Sequence, residues 1–174
     1  FPPIAEAGKR AIDAGFTRYN PSEGYADLRE AIANYSKTRG IHASPSQVVV
    51  GPGAKPVLLF PLLALLEKGD EVLFPDPGFP SSPADIEIAG GVPVSVPLVE
   101  ANSFSFDLDE LETRITEKTK LLILNSPANP TGGVISKADL MAIAALAKKH
   151  DFWVLSDEIY SRLVYSDSPA DSIY

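Results

Sequence analysis

The 174-residue chain has no cysteine, which excludes disulfides, thiolate nucleophiles and cysteine-held metals together. Its two histidines, His42 and His150, are far apart in sequence and cannot make a zinc site by themselves. Positive charge is scarce: 15 Lys and Arg against 23 Asp and Glu leave a formal charge of -8. Nucleic acid and anionic membrane reward basic patches and would be repelled by this surface, so neither is expected as a partner. Long apolar runs are absent too. The longest, Val57 to Leu66, is too short to span a bilayer, and the first residues carry no basic region followed by an apolar one. A soluble, cytoplasmic chain fits this usage. The chain lacks an initiator methionine at Phe1 and stops abruptly at Tyr174, and it is expected to be a fragment.

What is present is material for a core: 45% of residues are hydrophobic and 22% charged, enough for one folded domain. Apolar periodicity alternates between helical and extended stretches, the pattern of an α/β domain on a largely parallel sheet. Helices are predicted over Pro3 to Ala14, Tyr25 to Thr38, Lys55 to Leu66, Pro80 to Ala89, Leu108 to Arg114 and Lys137 to His150. Gly15 and Gly40 stand where C-terminal glycines belong, and Ser136 precedes the last helix as an N-cap. Strands are predicted over Gln47 to Val50, Glu71 to Phe74, Pro93 to Val96, Leu121 to Leu124 and Phe152 to Leu155. Leu121 to Leu124 and Trp153 to Leu155 do not alternate, so helices are expected on both of their faces.

Ligands of open α/β sheets bind beyond the carboxyl ends of strands. Those positions here read Gly51-Pro52-Gly53-Ala54-Lys55, Asp76-Pro77-Gly78-Phe79, Asn125 to Gly132, and Asp157-Glu158-Ile159-Tyr160. The first is either a plain strand-to-helix turn or a place where helix amides meet a phosphate. Lys55 belongs to the first turn of that helix. The prolines of Asn125 to Gly132 suggest a rigid, extended path that aims Asn129 into a cleft, with a simple proline-rich turn as the other reading. Asp157 ends an apolar strand, where a carboxylate is costly unless it caps a turn or meets a cation. A protonated ring nitrogen would suit it, with the Tyr160 phenol beside the same ring.

NSPANPTGGV followed by WVLSDEIYSRLVY is similar to the class I/II aminotransferases, a subgroup of fold-type I pyridoxal-phosphate enzymes. FTRYNPSEGYADLREAIANY, VVVGPGAKPVLL and EVLFPDPGFPSSP resemble the same family in the same order, so the likeness covers essentially the whole chain. It implies a three-layer α/β domain with a mixed, mostly parallel sheet, residues 1–174 forming part of the cofactor-binding large domain. It also implies pyridoxal 5'-phosphate as cofactor, an amino acid and a 2-oxo acid as substrates, and a homodimer. Asp157 would pair with the pyridinium nitrogen, while Asn129 and Tyr160 would hydrogen-bond the ring's phenolate oxygen. Phe79 would stack on the ring, the backbone of Gly53, Ala54 and Lys55 would hold the phosphate, and Tyr19 would reach the phosphate of the neighbouring subunit. His42 and His150 match no family motif and are read as surface residues.

The lysine that holds the cofactor covalently comes later in this family, as does the small domain, and neither can be assigned here. The isolated chain is therefore expected to be inactive. Same-fold lyases and synthases share these motifs, and a cofactor-binding remnant in a regulator is a further alternative. A nucleotide-binding domain is disfavoured because no GxGxxG or GxxxxGK[ST] follows a strand.

Overall fold

The computed structural model describes residues 1–174 and separates into two compact units, Phe1–Gly51 and Pro52–Tyr174. The first unit carries helices α1 (Pro2–Asp13) and α2 (Ala26–Lys37). Gly15 adopts φ +81°, and the Phe16 N–H returns to the Ala11 carbonyl at 3.0 Å, so the glycine closes α1 as its place in sequence suggested. Gly40, also at φ +81°, ends α2 in the same manner.

No strand forms over Gln47 to Val50. The Ser44 N–H instead donates to Gln47 Oε1 at 3.0 Å, and Pro45–Gln47 winds into a single 3₁₀ turn. Val48 is extended, yet the segment gains only one long-range backbone bond, from the Val50 N–H to the Glu23 carbonyl at 3.0 Å. A β-branched run sets the dihedrals of a strand; the ladder needs a neighbour running alongside. Arg29 braces the unit through Nε and Nη2 bonds to the Pro45 carbonyl, at 3.0 and 2.8 Å, and an ion pair with Glu23. At Gly24, φ is +98° and a Cβ would fall 2.8 Å from Val50 side-chain atoms, so any other residue would be both strained and crowded.

The second unit contains α3 (Ala54–Leu65), β1 (Glu71–Asp76), α4 (Ser81–Ile88), β2 (Val92–Val99), β3 (Ser105–Phe106), α5 (Leu108–Thr113), β4 (Thr119–Asn125), α6 (Lys137–His150) and β5 (Trp153–Asp157). The five strands form one sheet in the order β3-β2-β1-β4-β5, parallel except for the two-residue β3. This is the mixed, mostly parallel α/β sheet expected. β3 is too short to leave a periodic signature, which is why the sequence reading passed over it.

Neighbouring residues of the central strands serve opposite faces. Leu73, Leu122 and Leu124 join Val96, Leu111, Leu140 and Ile143 in one core cluster, while Val72, Leu121 and Ile123 join Leu62 and Ile86 in another. Helices α5 and α6 thus cover one face, and α3 and α4 the other. β5 departs from expectation because it is an edge strand: Val154 and Leu155 pack against the two clusters, but Trp153 stays exposed. Along the chain, β1 leads outward to β2 with α4 on one face, and β4 leads the opposite way to β5 with α6 on the other. The direction of winding reverses between β1 and β4, the place where strand ends splay and a crevice opens.

Leu122 is 0% exposed and Leu163 is 71% exposed. Leu122→Ala is expected to cost about 2–5 kcal/mol through lost burial and a residual cavity. Leu163→Ala should stay within about 0.5 kcal/mol. Denaturant midpoints of the two variants check the contrast.

Candidate functional site

A cavity of about 60 Å³ opens at the reversal point, lined by Ala54, Lys55, Leu58, Phe79, Asn125, Asn129, Asp157, Ile159 and Tyr160. Four strand or loop ends converge there. Gly53 is the N-cap of α3, with φ +102° and no side-chain cap, so the first amides of a twelve-residue helix are left without a side-chain acceptor. Such a terminus attracts an anion through both its N–H groups and the helix dipole. Lys55 adds positive charge at the same end, its Nζ lying 5.7 Å from the centre of the Phe79 ring.

Phe79 is carried by the turn after β1. Gly78 makes that turn possible, because a Cβ at this position would come 2.1 Å from the Pro75 carbonyl oxygen. The loop after β4 is not the extended path expected from its prolines. It folds back on itself: the Gly132 N–H donates to the Ala128 carbonyl at 2.8 Å, and the Ala128 N–H to Gly133 at 2.9 Å. The peptide bonds before Pro127 and Pro130 are cis. Ser126 Oγ accepts the Ile135 N–H at 3.0 Å, tying the loop's exit to its base. Backbone groups that would go unsatisfied in an extended buried segment find partners within the turn. Asn129 still reaches the cavity, and its own side-chain amide makes no hydrogen bond within the chain.

Asp157 closes β5, and parallel pairing sets it opposite Asn125. Its Oδ1 accepts the Ile159 N–H at 3.1 Å, and no cation pairs with it. Burial raises its pKa above the ordinary carboxylate value, outweighing the lowering by the Ile159 bond, and the neighbouring charge of Glu158 pushes the same way. Glu158 itself turns aside to Ser156 and Ser172, accepting their hydroxyls at 3.0 and 2.7 Å. Tyr160 lies on the turn beyond, where the Leu163 N–H meets its carbonyl at 2.7 Å. The Tyr160 hydroxyl, like the Asn129 amide, is uncommitted.

Of the residues singled out from sequence, Ala54, Lys55, Phe79, Asn129, Asp157 and Tyr160 line one cavity, with Gly53 capping the helix that forms one wall. Tyr19 belongs to the first unit, where its ring is fully exposed. His150 lies on the surface, 3.8 Å from Glu112. Asn125 and Ile159 fall within the strand-end segments but carried no assigned role, and Leu58 was not singled out. Asn125 is a strand-terminal amide in an apolar run, and that mismatch was the available signal.

The profile of the family described as aminotransferase class I and II matches residues 1–174. The chain belongs to this family. It is 47% identical over 166 residues to an aspartate aminotransferase of Pyrococcus abyssi, covering 94% of the chain and 43% of that protein. Against aromatic-amino-acid aminotransferase 2 of Thermococcus litoralis it is 44% identical, covering 93% and 42%. The solved structure of an aromatic aminotransferase from Pyrococcus horikoshii OT3 superposes with a TM-score of 0.95 at 45% identity, over 98% of this chain and 46% of that one. The chain thus spans less than half the length of the relatives it matches.

Class I and II aminotransferases work with pyridoxal 5'-phosphate. The cavity's donor set fits that molecule: an uncapped helix terminus for a dianion, an aromatic wall for a flat ring, and a half-buried carboxylate without a cation for a protonated ring nitrogen. The Asp157 shift also has a measurable consequence. Because the folded state holds the proton more tightly than the unfolded one, the protein gives up stability as pH rises from the ordinary carboxylate range through the raised value. In cofactor-free protein, Asp157→Asn should therefore raise the melting temperature at neutral pH. The gain should vanish below the ordinary carboxylate range, and melting curves across that interval test it.

Proposed function

We propose that the full-length protein containing this chain is a pyridoxal-phosphate-dependent aminotransferase that transfers an amino group from an amino acid to a 2-oxo acid. The observation that carries the reading is Asp157, which is half-buried and unpaired beside the uncommitted Asn129 and Tyr160 at the point where the sheet reverses. When bound, pyridoxal phosphate supplies an electron sink for the charge left as the substrate loses its α-proton.

The residues of this chain then divide the remaining tasks. The Asp157 carboxylate keeps a proton on the ring nitrogen, and the cation it faces favours its own ionised form, offsetting the effect of burial. Asn129 and Tyr160 donate to the phenolate oxygen on the ring. Phe79 confines the ring from one face. The amides of Gly53, Ala54 and Lys55 take the phosphate, with the Lys55 charge beside them. Leu58 and Ile159 supply the apolar part of the wall.

The relatives' names divide between aspartate and aromatic amino acids, so the substrate is proposed at the level of amino acid and 2-oxo acid. A cytoplasmic homodimer is proposed with it. In the full-length protein, Asp157→Ala should lower turnover by about a hundredfold or more, the scale set by loss of a preorganised charge contact. The cofactor-free fold should melt as before or higher. Steady-state transamination with aspartate and with an aromatic amino donor checks this, and near-normal turnover would refute the assignment.

Tyr19 is proposed to donate its hydroxyl to the phosphate held by the other subunit, a role compatible with a phenol that is fully exposed in its own unit. A charge-assisted hydrogen bond contributes about 1.5–3 kcal/mol, so Tyr19→Phe should weaken cofactor retention by about ten- to a hundredfold. Mixing Tyr19→Phe subunits with Asp157→Ala subunits tests the sharing. If Tyr19 serves its partner, each hybrid dimer has one site with both defects and one with neither, and activity partly returns. No recovery despite confirmed subunit exchange would place Tyr19 in its own subunit's site.

A further inference from the structure

We infer that, given the cofactor reading above, Asn125 is a positioning residue that locks Asn129 and Asp157 into one frame, fixing the distance between the groups that meet two edges of the same ring. Asn125 is 6% exposed at the end of β4. Its Oδ1 accepts the backbone N–H of Asn129 at 2.7 Å, and its Nδ2 donates to the backbone carbonyl of Asp157 at 3.3 Å. That carbonyl also accepts the Ser126 N–H at 3.2 Å. The loop that carries Asn129 and the strand end that carries Asp157 are thereby clamped by one side chain.

The chemistry of the clamp is specific to asparagine. It needs a donor and an acceptor on one short planar group, with the acceptor facing an N–H and the donor facing a C=O. Reversing the amide would set NH₂ against N–H and oxygen against oxygen, so the two backbone partners fix its orientation. An ionised aspartate has no donor, glutamine adds a methylene that moves both ends, and leucine fills the volume with neither function. The Asn129 side chain makes no hydrogen bond within the chain, so its position rests on the backbone bond to Asn125. Asn125 acts through these two residues.

A merely structural role would change stability alone, whereas a positioning role must also change how the ring is held. The test uses the full-length protein in two variants, Asn125→Leu, which keeps the branched skeleton without its polar groups, and Asn125→Ala, which removes the side chain. Three quantities are read: pyridoxal 5'-phosphate binding to cofactor-free protein by absorbance titration, the pH midpoint of the bound cofactor's visible absorbance, and the melting temperature of the cofactor-free form. Both variants are expected to bind the cofactor about tenfold more weakly, the scale of one well-placed hydrogen bond. Their pH midpoints are expected to rise, because a phenolate oxygen that loses its donor holds a neighbouring proton more tightly. Unchanged binding and midpoint, with only the melting temperature lowered, would overturn the inference. If the leucine variant does not fold, the alanine variant decides on the same two optical readouts. Asp157→Ala run in parallel separates the two levels. Should it leave binding, absorbance and turnover intact, the cofactor reading itself fails; should it disturb them while both Asn125 variants do not, only the role of Asn125 fails.

Discussion

Parallel pairing of β4 with β5 places Asn125 across from Asp157, and the polar side of the cavity takes its reference from that register. Strand side chains alternate between faces, so a slip of one residue would carry Leu122 and Leu124 out of one core cluster and Leu121 and Ile123 out of the other. Each buried leucine or isoleucine is held by roughly 1.5–3 kcal/mol of burial, so four such side chains in adjacent positions make the slip far more costly than any gain at the strand end. Hydrophobic packing in the middle of the strands thus sets the position of polar groups at their tips.

Those tips sit where a polar group is expensive. An unpaired carboxylate that is half removed from water responds by holding its proton more tightly, as Asp157 does, while its neighbour Glu158 escapes the same burden by accepting two serine hydroxyls. The contrast between adjacent residues is informative. A purely structural acid at a strand end is expected to look like Glu158, satisfied by local donors. Asp157 keeps one backbone donor and lacks a cation, which leaves the site electrostatically incomplete until something positive arrives.

Much of this was legible in the sequence because the signals were local. The six helices lay within about two residues of their predicted bounds, the tolerance expected of helix ends. Four of the five strands followed from apolar runs, and most of the polar residues lining the cavity from groups placed just beyond them. The failures arise where the outcome rests on partners that composition does not name, whether neighbouring strands or the backbone of the same loop. Gln47 to Val50 has strand composition but no neighbour to bond with, Trp153 is exposed because β5 borders only one strand, and the Asn125–Gly133 loop turns back to satisfy its own backbone. Asn125 was named only as the start of its segment, because its part in the site lies in bonds to residues four and thirty-two positions away.

The two halves of the cavity are built by different means. One end is mostly backbone: α3 amides oriented by Gly53 at a dihedral other residues resist, and a Phe79 turn that closes only because Gly78 has no Cβ. Side chains there can vary without moving the donors, as long as the two glycines stay. The other end is made of side chains: Asn125 has both of its amide functions bonded, while Asn129, Asp157 and Tyr160 turn polar groups without side-chain partners toward the cavity. Substitution is therefore constrained at one end by the two glycines and at the other by the side chains themselves. Within one fold, that arrangement lets the two ends of the cavity change independently in sequence.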